Sequence, residues 1–354
     1  MTLKAAIIAD DLTGALDTGT PFVEAGLSVA VAIDIEAARE AVATGCDVVV
    51  INTASRALDE REAAESVRLA AKIFHGEKPA VLMKKIDSRL KGNVAAESIA
   101  LAKVFDLKTI LVAPAIPDQE RLTYRGCVVG RGVNRPLPIA ELFKTGADHV
   151  VVADAEEDAD LDQIAEGHDW QTTLAVGARG LGAALARHLG ETGQSTVREF
   201  AASPRTLFAF GSRDPITAAQ MNRLESTGAL RMVVDAPMGE IECGEGLALP
   251  VLLRCTGDMA ADAGLVARSF AAGVKIVIDD TRPDVLMVGG GDTALAVFRT
   301  LGVNVLAPKG EIEAGIPWFD VAAADGRRFR CAVKSGGFGK PDSLLKLVLG
   351  NQAA

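Results

Sequence analysis

Residues 84–93 read KKIDSRLKGN and combine four basic side chains with groups that can hydrogen-bond or accept a proton. The basic residues are Lys84, Lys85, Arg89 and Lys91, and their polar neighbours are Asp87, Ser88 and Asn93. Cationic side chains suit a carboxylate or a phosphate, and Asp87 could accept a proton from a hydroxyl. The segment therefore predicts a site for a small anionic substrate. The alternative is a solvated turn that carries charges of both signs.

Two adjacent carboxylates form a second candidate group. Asp10 and Asp11 follow the apolar run 5–9 and precede a stretch, 13–25, that favours a helix. Carboxylates in this position could simply cap the helix. They could equally hold substrate hydroxyls or a metal ion.

Three glycine segments lie in the second half of the chain. Residues 289–293 (GGGDT) and 334–339 (KSGGFG) each follow an apolar run, and Gly211-Ser212 is a shorter third segment. Glycines let backbone N–H groups approach a phosphate, and a following helix adds positive potential. The chain has no GxxxxGK[ST] motif, which excludes a Walker-type P-loop. The absence of GxGxxG after the first strand argues against a dinucleotide oxidoreductase.

Short apolar runs alternate with helical patterns along both halves, which predicts parallel sheets built from right-handed βαβ units. Ligands of such sheets bind at the carboxyl ends of the strands, where the candidate groups above fall. The length, 354 residues, exceeds one ordinary core. We therefore predict an α/β protein of two domains, residues 1–195 and 204–354, each a mainly parallel sheet flanked by helices.

Residues 118–138 show little periodicity and are predicted to be irregular. They carry Arg121, Arg125, Arg131 and Arg135 among glycines and prolines. A loop of this length is either functional or an ordinary surface loop.

Composition limits the function classes. A net charge of −10 argues against nucleic-acid or membrane-surface partners, and no apolar stretch approaches the roughly 20 residues of a bilayer span. The four histidines have no metal-ligand spacing. The scattered cysteines are Cys46, Cys127, Cys243, Cys255 and Cys331. They predict free thiols and no zinc site, and with no cleavable signal peptide we expect a cytoplasmic protein. Whether the chain forms a homo-oligomer is left open.

Taken in order, these segments resemble the four-carbon acid sugar kinases, which phosphorylate threonate, erythronate and 3-oxo-tetronate-type acids with ATP. The matching segments are 10–15, 85–93, 113–117 with Arg121, 211–212 with Thr217 and Gln220, 290–293, and 334–339. The resemblance implies that residues 1–195 bind the sugar acid and residues 204–354 the nucleotide, with ATP and Mg²⁺ as cofactors. The family usually has other residues at Arg89, Lys91, Glu120, Arg213 and Asp214.

With the resemblance, the candidate residues divide into roles. Substrate binding falls to Asp10, Arg89, Lys91, Asn93 and Arg121. Nucleotide binding falls to Ser212, Gly290, Gly291, Asp292, Thr293, Gly336 and Gly337. The catalytic base is expected to be Asp87 or Asp11, and Asp87 is favoured because flanking cations keep it ionised. The metal ligands are not indicated.

Two other functions compete with the kinase. A non-catalytic sensor of a sugar acid and a nucleotide would keep the glycine segments and could lose the base. A sugar-acid dehydrogenase would bind a nicotinamide cofactor, against which the missing GxGxxG motif argues.

Overall fold

The computed structural model describes residues 3–144, 149–190, 197–242, 246–258, 262–323 and 326–350. The chain divides into two units, Met1–Val197 and Arg198–Ala354. Residue 195, the predicted end of the first domain, and Cys243 lie outside the described residues. Within the described ranges, no helix is both long and apolar enough to cross a membrane.

The first unit is built on a parallel sheet. The strands of this unit are β1 (Ala5–Ala9), β2 (Val29–Ala32), β3 (Val48–Asn52), β4 (Val81–Lys85), β5 (Thr109–Ala113), β6 (Arg121–Tyr124), β7 (Cys127–Gly130), β8 (Leu137–Pro138), β9 (Val150–Val152) and β10 (Thr173–Gly177). Parallel neighbours run in the order β2-β3-β1-β4-β10-β5-β9. Strands β1 and β3 are buried throughout, which is typical of a sheet covered on both faces.

Helices connect these strands. They are α1 (Leu12–Glu24), α2 (Ala38–Ala43), α3 (Glu60–Ile73), α4 (Val94–Val104), α5 (Asp158–Glu166) and α6 (Arg179–Leu189). Asp11 caps α1 and Asp59 caps α3, and each carboxylate accepts a hydrogen bond from a backbone N–H in the first turn of its helix. The alternative in which Asp11 caps the following helix is therefore confirmed.

Residues 118–138 are ordered, so the prediction of an irregular segment is wrong. A short 3₁₀ turn, Pro117–Gln119, leads into β6, β7 and β8, which pair antiparallel. Arg125 and Gly126 both have positive φ, 48° and 71°, in the two-residue turn between β6 and β7. Such a turn matches the twist of a hairpin. This turn could not be predicted from the sequence, because an arginine rarely adopts that backbone region.

The second unit contains a sheet that is parallel on one side and antiparallel on the other. The strands of this unit are β11 (Thr206–Phe210), β12 (Met232–Pro237), β13 (Val251–Thr256), β14 (Val285–Gly289), β15 (Val305–Leu306), β16 (Pro308–Glu311), β17 (Pro317–Ala322) and β18 (Arg328–Lys334), of which β15 lies outside this sheet. The order β12-β13-β11-β14-β18 is parallel, and β17 and β16 then pair antiparallel. Its helices are α7 (Pro215–Ser226), α8 (Ala263–Thr281), α9 (Gly291–Leu301) and α10 (Lys346–Leu349). The predicted fold class, mainly parallel sheets flanked by helices, is confirmed.

Strand register aligns the candidate segments within each unit. In the first unit Ala9 pairs with both Asn52 and Lys85, so β1, β3 and β4 end at one level. In the second unit Gly289 pairs with both Phe210 and Lys334, so β11, β14 and β18 end together. The side chains that follow these strands therefore leave the same edge of each sheet.

Candidate functional site

Arg56 joins the three candidate carboxylates of the first unit. Its Nε and Nη2 each donate to the Asp10 carboxylate at 2.8 Å, and Nη2 also donates to Asp11 Oδ1 at 2.9 Å. Its Nη1 lies 3.9 Å from Asp87 Oδ2. Because a two-pronged contact between arginine and carboxylate fixes the planes of both groups, Arg56 determines how these carboxylates are arranged.

Arg56 also keeps Asp10 ionised. The Asp10 side chain is only 3% exposed, and burial alone would raise its pKa. The charges of Arg56 and Lys84 outweigh the burial and hold the pKa of Asp10 below the ordinary 3.8. Burial alone would lower the pKa of Arg56, but the charges of Asp11 and Asp10 together raise it above the usual value. Asp10 and Arg56 are therefore both charged at neutral pH.

Asp87 keeps more hydrogen-bonding capacity than Asp11. Asp11 Oδ1 accepts from the Gly14 N–H at 3.0 Å as well as from Arg56, and its Oδ2 accepts from Thr13 Oγ1 at 2.5 Å. Asp87 Oδ1 accepts from the Arg89 N–H at 2.8 Å, while its Oδ2 has Arg56 only at the longer distance. A substrate hydroxyl would find a freer acceptor at Asp87.

A buried polar network fixes the segment that carries Arg56. Lys84 pairs with Glu97 at 2.8 Å, with side-chain exposures of 0% and 2%. Glu97 accepts from Ser55 Oγ at 2.6 Å, and the Ser55 hydroxyl lies 2.7 Å from that of Thr53. Buried polar groups that satisfy one another hold a unique geometry. Lys84, although part of the basic segment, therefore supports the candidate site through this buried network.

The guanidinium groups of Arg121 and Arg89 lie close together. Arg121 Nη1 donates to Ser88 Oγ at 2.5 Å, and its Nε donates to the Arg131 carbonyl at 3.2 Å. A Cβ built on Gly132 would lie 3.7 Å from Arg89 Nη1 and 3.9 Å from Arg121 Nη2. Burial lowers the pKa of Arg121, and the charge of Arg89 lowers it further. An anion placed between the two arginines would relieve this repulsion.

Two predicted substrate residues take other positions. Asn93 directs its side-chain amide to the Leu58 carbonyl at 2.9 Å at the start of α4, and Lys91 is exposed. Within the described residues, neither side chain hydrogen-bonds to Arg89 or Arg121. Arg56 was not among the predicted site residues, and its only signal in the sequence was the polar run 52–56 after a buried strand.

The glycine segments of the second unit adjoin one another. The Ser212 N–H donates to the Gly289 carbonyl, and the Gly290 N–H donates to the Lys334 carbonyl, each at 3.1 Å. A Cβ built on Gly336 would lie 2.8 Å from Ser212 Oγ. Predicted nucleotide residues from the three separate segments are thus brought to one edge of this sheet.

The segments have the features of a phosphate cradle. Gly290 has φ 107°, a region that favours glycine, and it precedes α9 without a side-chain cap. Gly291, Asp292 and Thr293 form the first turn of α9. In the part of the chain that the structure describes, the N–H groups of Gly336 and Gly337 have no protein acceptor. Free amides beside a helix N-terminus attract phosphate oxygens.

Two of the residues that depart from the family pattern, Arg213 and Asp214, hydrogen-bond to backbone groups with their side chains. Asp214 caps α7 by accepting from the Ile216 N–H at 2.9 Å. Arg213 donates to the carbonyls of Gly257 and Thr256, at 2.6 and 3.1 Å. Glu120 has φ 56°, a backbone region that favours glycine.

No dedicated metal cage is present among the described residues, because no three histidine, cysteine or acidic side chains are grouped to hold a metal ion. Magnesium in phosphoryl-transfer sites is bound mainly by phosphate oxygens and water, with one or two carboxylates. Asp292 is an exposed carboxylate in the first turn of α9. This donor set fits an ion that arrives with a nucleotide.

Two family models match the chain. One describes a sugar-binding N-terminal domain and matches residues 5–141. The other describes a nucleotide-binding C-terminal domain and matches residues 251–344.

Curated relatives match nearly the whole chain. A D-threonate kinase of Cupriavidus necator is 30% identical and is aligned over 96% of this chain and 95% of its own length. A D-threonate kinase of Salmonella typhimurium is 26% identical over 97% of both chains. A 3-oxo-tetronate kinase of Methylobacterium radiotolerans is also 26% identical, over 97% of this chain and 98% of its own.

Solved structures share the fold. A Salmonella typhimurium protein superposes with a TM-score of 0.74 over 98% of both chains, at 18% identity. A Haemophilus influenzae protein gives a TM-score of 0.65 over 97% of this chain and 98% of its own, at 21% identity. At these identities the likeness supports the fold alone.

Proposed function

The chain belongs to the four-carbon acid sugar kinase family, and on that premise we propose that it transfers a phosphoryl group from ATP to a hydroxyl of a four-carbon sugar acid. The observation that carries the proposal is the full-length match to a D-threonate kinase at 30% identity. Phosphoryl transfer needs positioning and charge neutralisation more than covalent chemistry. Both units supply charged side chains or backbone amides that could position substrates and neutralise charge.

We assign the sugar acid to the first unit. Arg89 and Arg121 would hold its carboxylate, since two adjacent guanidinium groups suit a planar anion. Asp87 would orient the attacking hydroxyl and accept its proton as the phosphoryl group transfers. Asp10 and Asp11, which Arg56 already holds, would keep that arrangement fixed and contact further hydroxyls. Lys91 and Asn93 remain candidate outer contacts.

We assign ATP to the second unit. The amides of Gly336 and Gly337 would bind phosphate oxygens, and Ser212, Gly290, Gly291 and Thr293 would line the rest of the cradle. Asp292 would supply the protein carboxylate for a Mg²⁺ ion that arrives with the nucleotide, and such an ion would help to neutralise phosphate charge.

Arg89→Met is expected to weaken sugar-acid binding roughly 10–100-fold and to leave ATP affinity unchanged, because charge-assisted hydrogen bonds to the carboxylate are lost. Isothermal titration with each ligand separately measures both effects. Arg125→Met is the matched control, because this arginine lies over the Tyr124 ring at 5.1 Å in the turn between β6 and β7. Unchanged affinity for every active acid would remove Arg89 from the site.

Gly337→Val is expected to reduce ATP affinity at least about tenfold without unfolding the protein. A Cβ at this position would meet only Asp214 Oδ2, at 3.9 Å, so the protein itself tolerates the side chain. The added methyl groups would instead block the approach of phosphate to the free amides. Ala272→Val, at an exposed position of α8, controls for the change in size. Normal ATP binding by folded Gly337→Val contradicts the assignment.

The activity itself is tested by ADP release from ATP with D-threonate, D-erythronate and 3-oxo-tetronate as acceptors. We expect turnover that depends on one of these acids and on Mg²⁺. Binding of an acid and ATP without turnover would instead identify the chain as a sensor. Acid-dependent reduction of a nicotinamide cofactor would identify a dehydrogenase.

A further inference from the structure

Lys334 ends β18 with a completely buried side chain whose donors are all used inside the protein. Its Nζ donates to Thr217 Oγ1 at 2.8 Å, to the Ser335 carbonyl at 2.9 Å and to the Gly336 carbonyl at 3.1 Å. A lysine ammonium has three N–H donors, so none is left for a ligand. The charge of Lys334 nevertheless lies directly beside the glycine segment.

Two side chains of α7 bind the same segment. Thr217 Oγ1 donates to the Gly336 carbonyl at 2.8 Å. Gln220 Nε2 donates to the carbonyls of Phe338 and Lys340, at 3.1 and 2.9 Å. Thr217 and Gln220 are three residues apart and therefore share one helix face. The carbonyls of Ser335, Gly336, Phe338 and Lys340 thus point toward α7 or Lys334.

The direction of these carbonyls determines the direction of the amides. In a trans peptide, the carbonyl of one residue and the N–H of the next point opposite ways. Because the carbonyls of Ser335 and Gly336 point toward Lys334 and Thr217, the N–H groups of Gly336 and Gly337 point away from them. Neither of these two amides has an acceptor among the residues described.

We propose that Lys334, supported by Thr217, is a positioning residue for ATP that turns the carbonyls of residues 335–336 inward and so presents two amides to phosphate. Its buried positive charge adds attraction for the phosphate without direct contact. The inference rests on the proposed function, because it takes the phosphates of ATP to bind this segment.

The Lys334 ammonium titrates in an accessible range. Burial lowers the pKa of this group to about 8, although the negative charges of Asp214 and Glu313 act to raise it. Glu313 is also paired with Lys346 at 2.7 Å. Above this pKa the neutral amine has too few protons for its three acceptors, and the charge is lost. Because bound phosphate favours the protonated form, ATP affinity is expected to fall as pH rises from about 7 to about 9.5.

Lys334→Met tests the proposal, because methionine fills similar space without charge or donors. We expect ATP affinity to fall at least about tenfold, adenosine affinity to stay within about twofold, and the alkaline fall in ATP affinity to disappear. Thr217→Val removes only the supporting hydroxyl and should weaken ATP binding in the same direction. Lys275→Met, which removes a half-exposed lysine of α8 paired with Asp279 at 2.7 Å, is the lysine control. If Lys334→Met does not fold, Thr217→Val and the pH profile of the wild-type protein decide.

ATP affinity within about twofold of wild type for folded Lys334→Met, with an unchanged pH profile, would overturn the inference. Equal losses of ATP and adenosine affinity would also overturn it, because the lysine would then support the unit generally rather than the phosphate amides. Failure of the proposed function looks different, since Gly337→Val would then bind ATP normally. If Gly337→Val loses ATP and Lys334→Met keeps it, only the role of Lys334 is wrong.

Discussion

Asp87→Asn is expected to lower the rate of the phosphoryl-transfer step about 100-fold, the usual contribution of a general base. The amide keeps the shape of the carboxylate and can still accept the Arg89 N–H, so the loop should keep its fold. It cannot take a proton from the attacking hydroxyl. Single-turnover kinetics with both substrates saturating measure the chemical step apart from binding.

Asp11→Asn and Asp10→Asn are the matched comparisons. Asp11 caps α1 and accepts from Thr13, and Asp10 is held by two hydrogen bonds from Arg56. Their variants should therefore lose stability or substrate affinity more than chemical rate. If Asp87→Asn keeps the wild-type chemical rate and loses only acid affinity, Asp87 is a binding residue. A larger rate loss in Asp11→Asn would transfer the role of base to Asp11.

The alternation of apolar runs and helical patterns was sufficient to predict the parallel sheets and to place most candidate residues after strands. It could not predict which strands are neighbours. Arg56 and Asp10 are 46 positions apart in sequence and meet only because β3 lies beside β1. The arginine that organises the first unit's carboxylates was therefore invisible as a local motif.

Lys334 was part of a recognised glycine segment, yet its role could not be read from the sequence. Lysine is almost never completely buried, so a lysine beside glycines suggests a direct phosphate contact. The structure instead directs its ammonium group toward carbonyls and Thr217. The turn at Arg125 escaped prediction for a related reason, since tertiary context there overrides the backbone preference of the residue.

Arg56→Met is expected to destabilise the first unit by about 3 kcal/mol at neutral pH, because it leaves Asp10 buried without its main partner. The estimate is at the low end of the usual range because the Arg56 side chain is 30% exposed. Urea unfolding measures the change in the free energy of unfolding. Arg68→Met removes an exposed arginine paired with Glu65 at 3.1 Å and should cost less than about 1 kcal/mol.

The loss should depend on pH in a direction that identifies Asp10 as its source. In the wild-type protein the pKa of Asp10 is lowered below 3.8, so its contribution to stability is complete above that value and is lost as pH falls through the folded pKa. Without Arg56, burial should raise the pKa of Asp10, so the folded variant binds the proton more tightly than the unfolded chain. The loss of stability relative to wild type should therefore become smaller as the pH is lowered from about 7 to about 4.5.

A second substitution completes the test of Arg56. Arg56→Met combined with Asp10→Asn removes both charges and should recover much of the lost stability at neutral pH, because no uncompensated charge is left buried. The double variant should also lose the pH dependence of the deficit. Additive destabilisation, or an equal deficit at both pH values, would show that Arg56 stabilises the unit through packing rather than by neutralising Asp10.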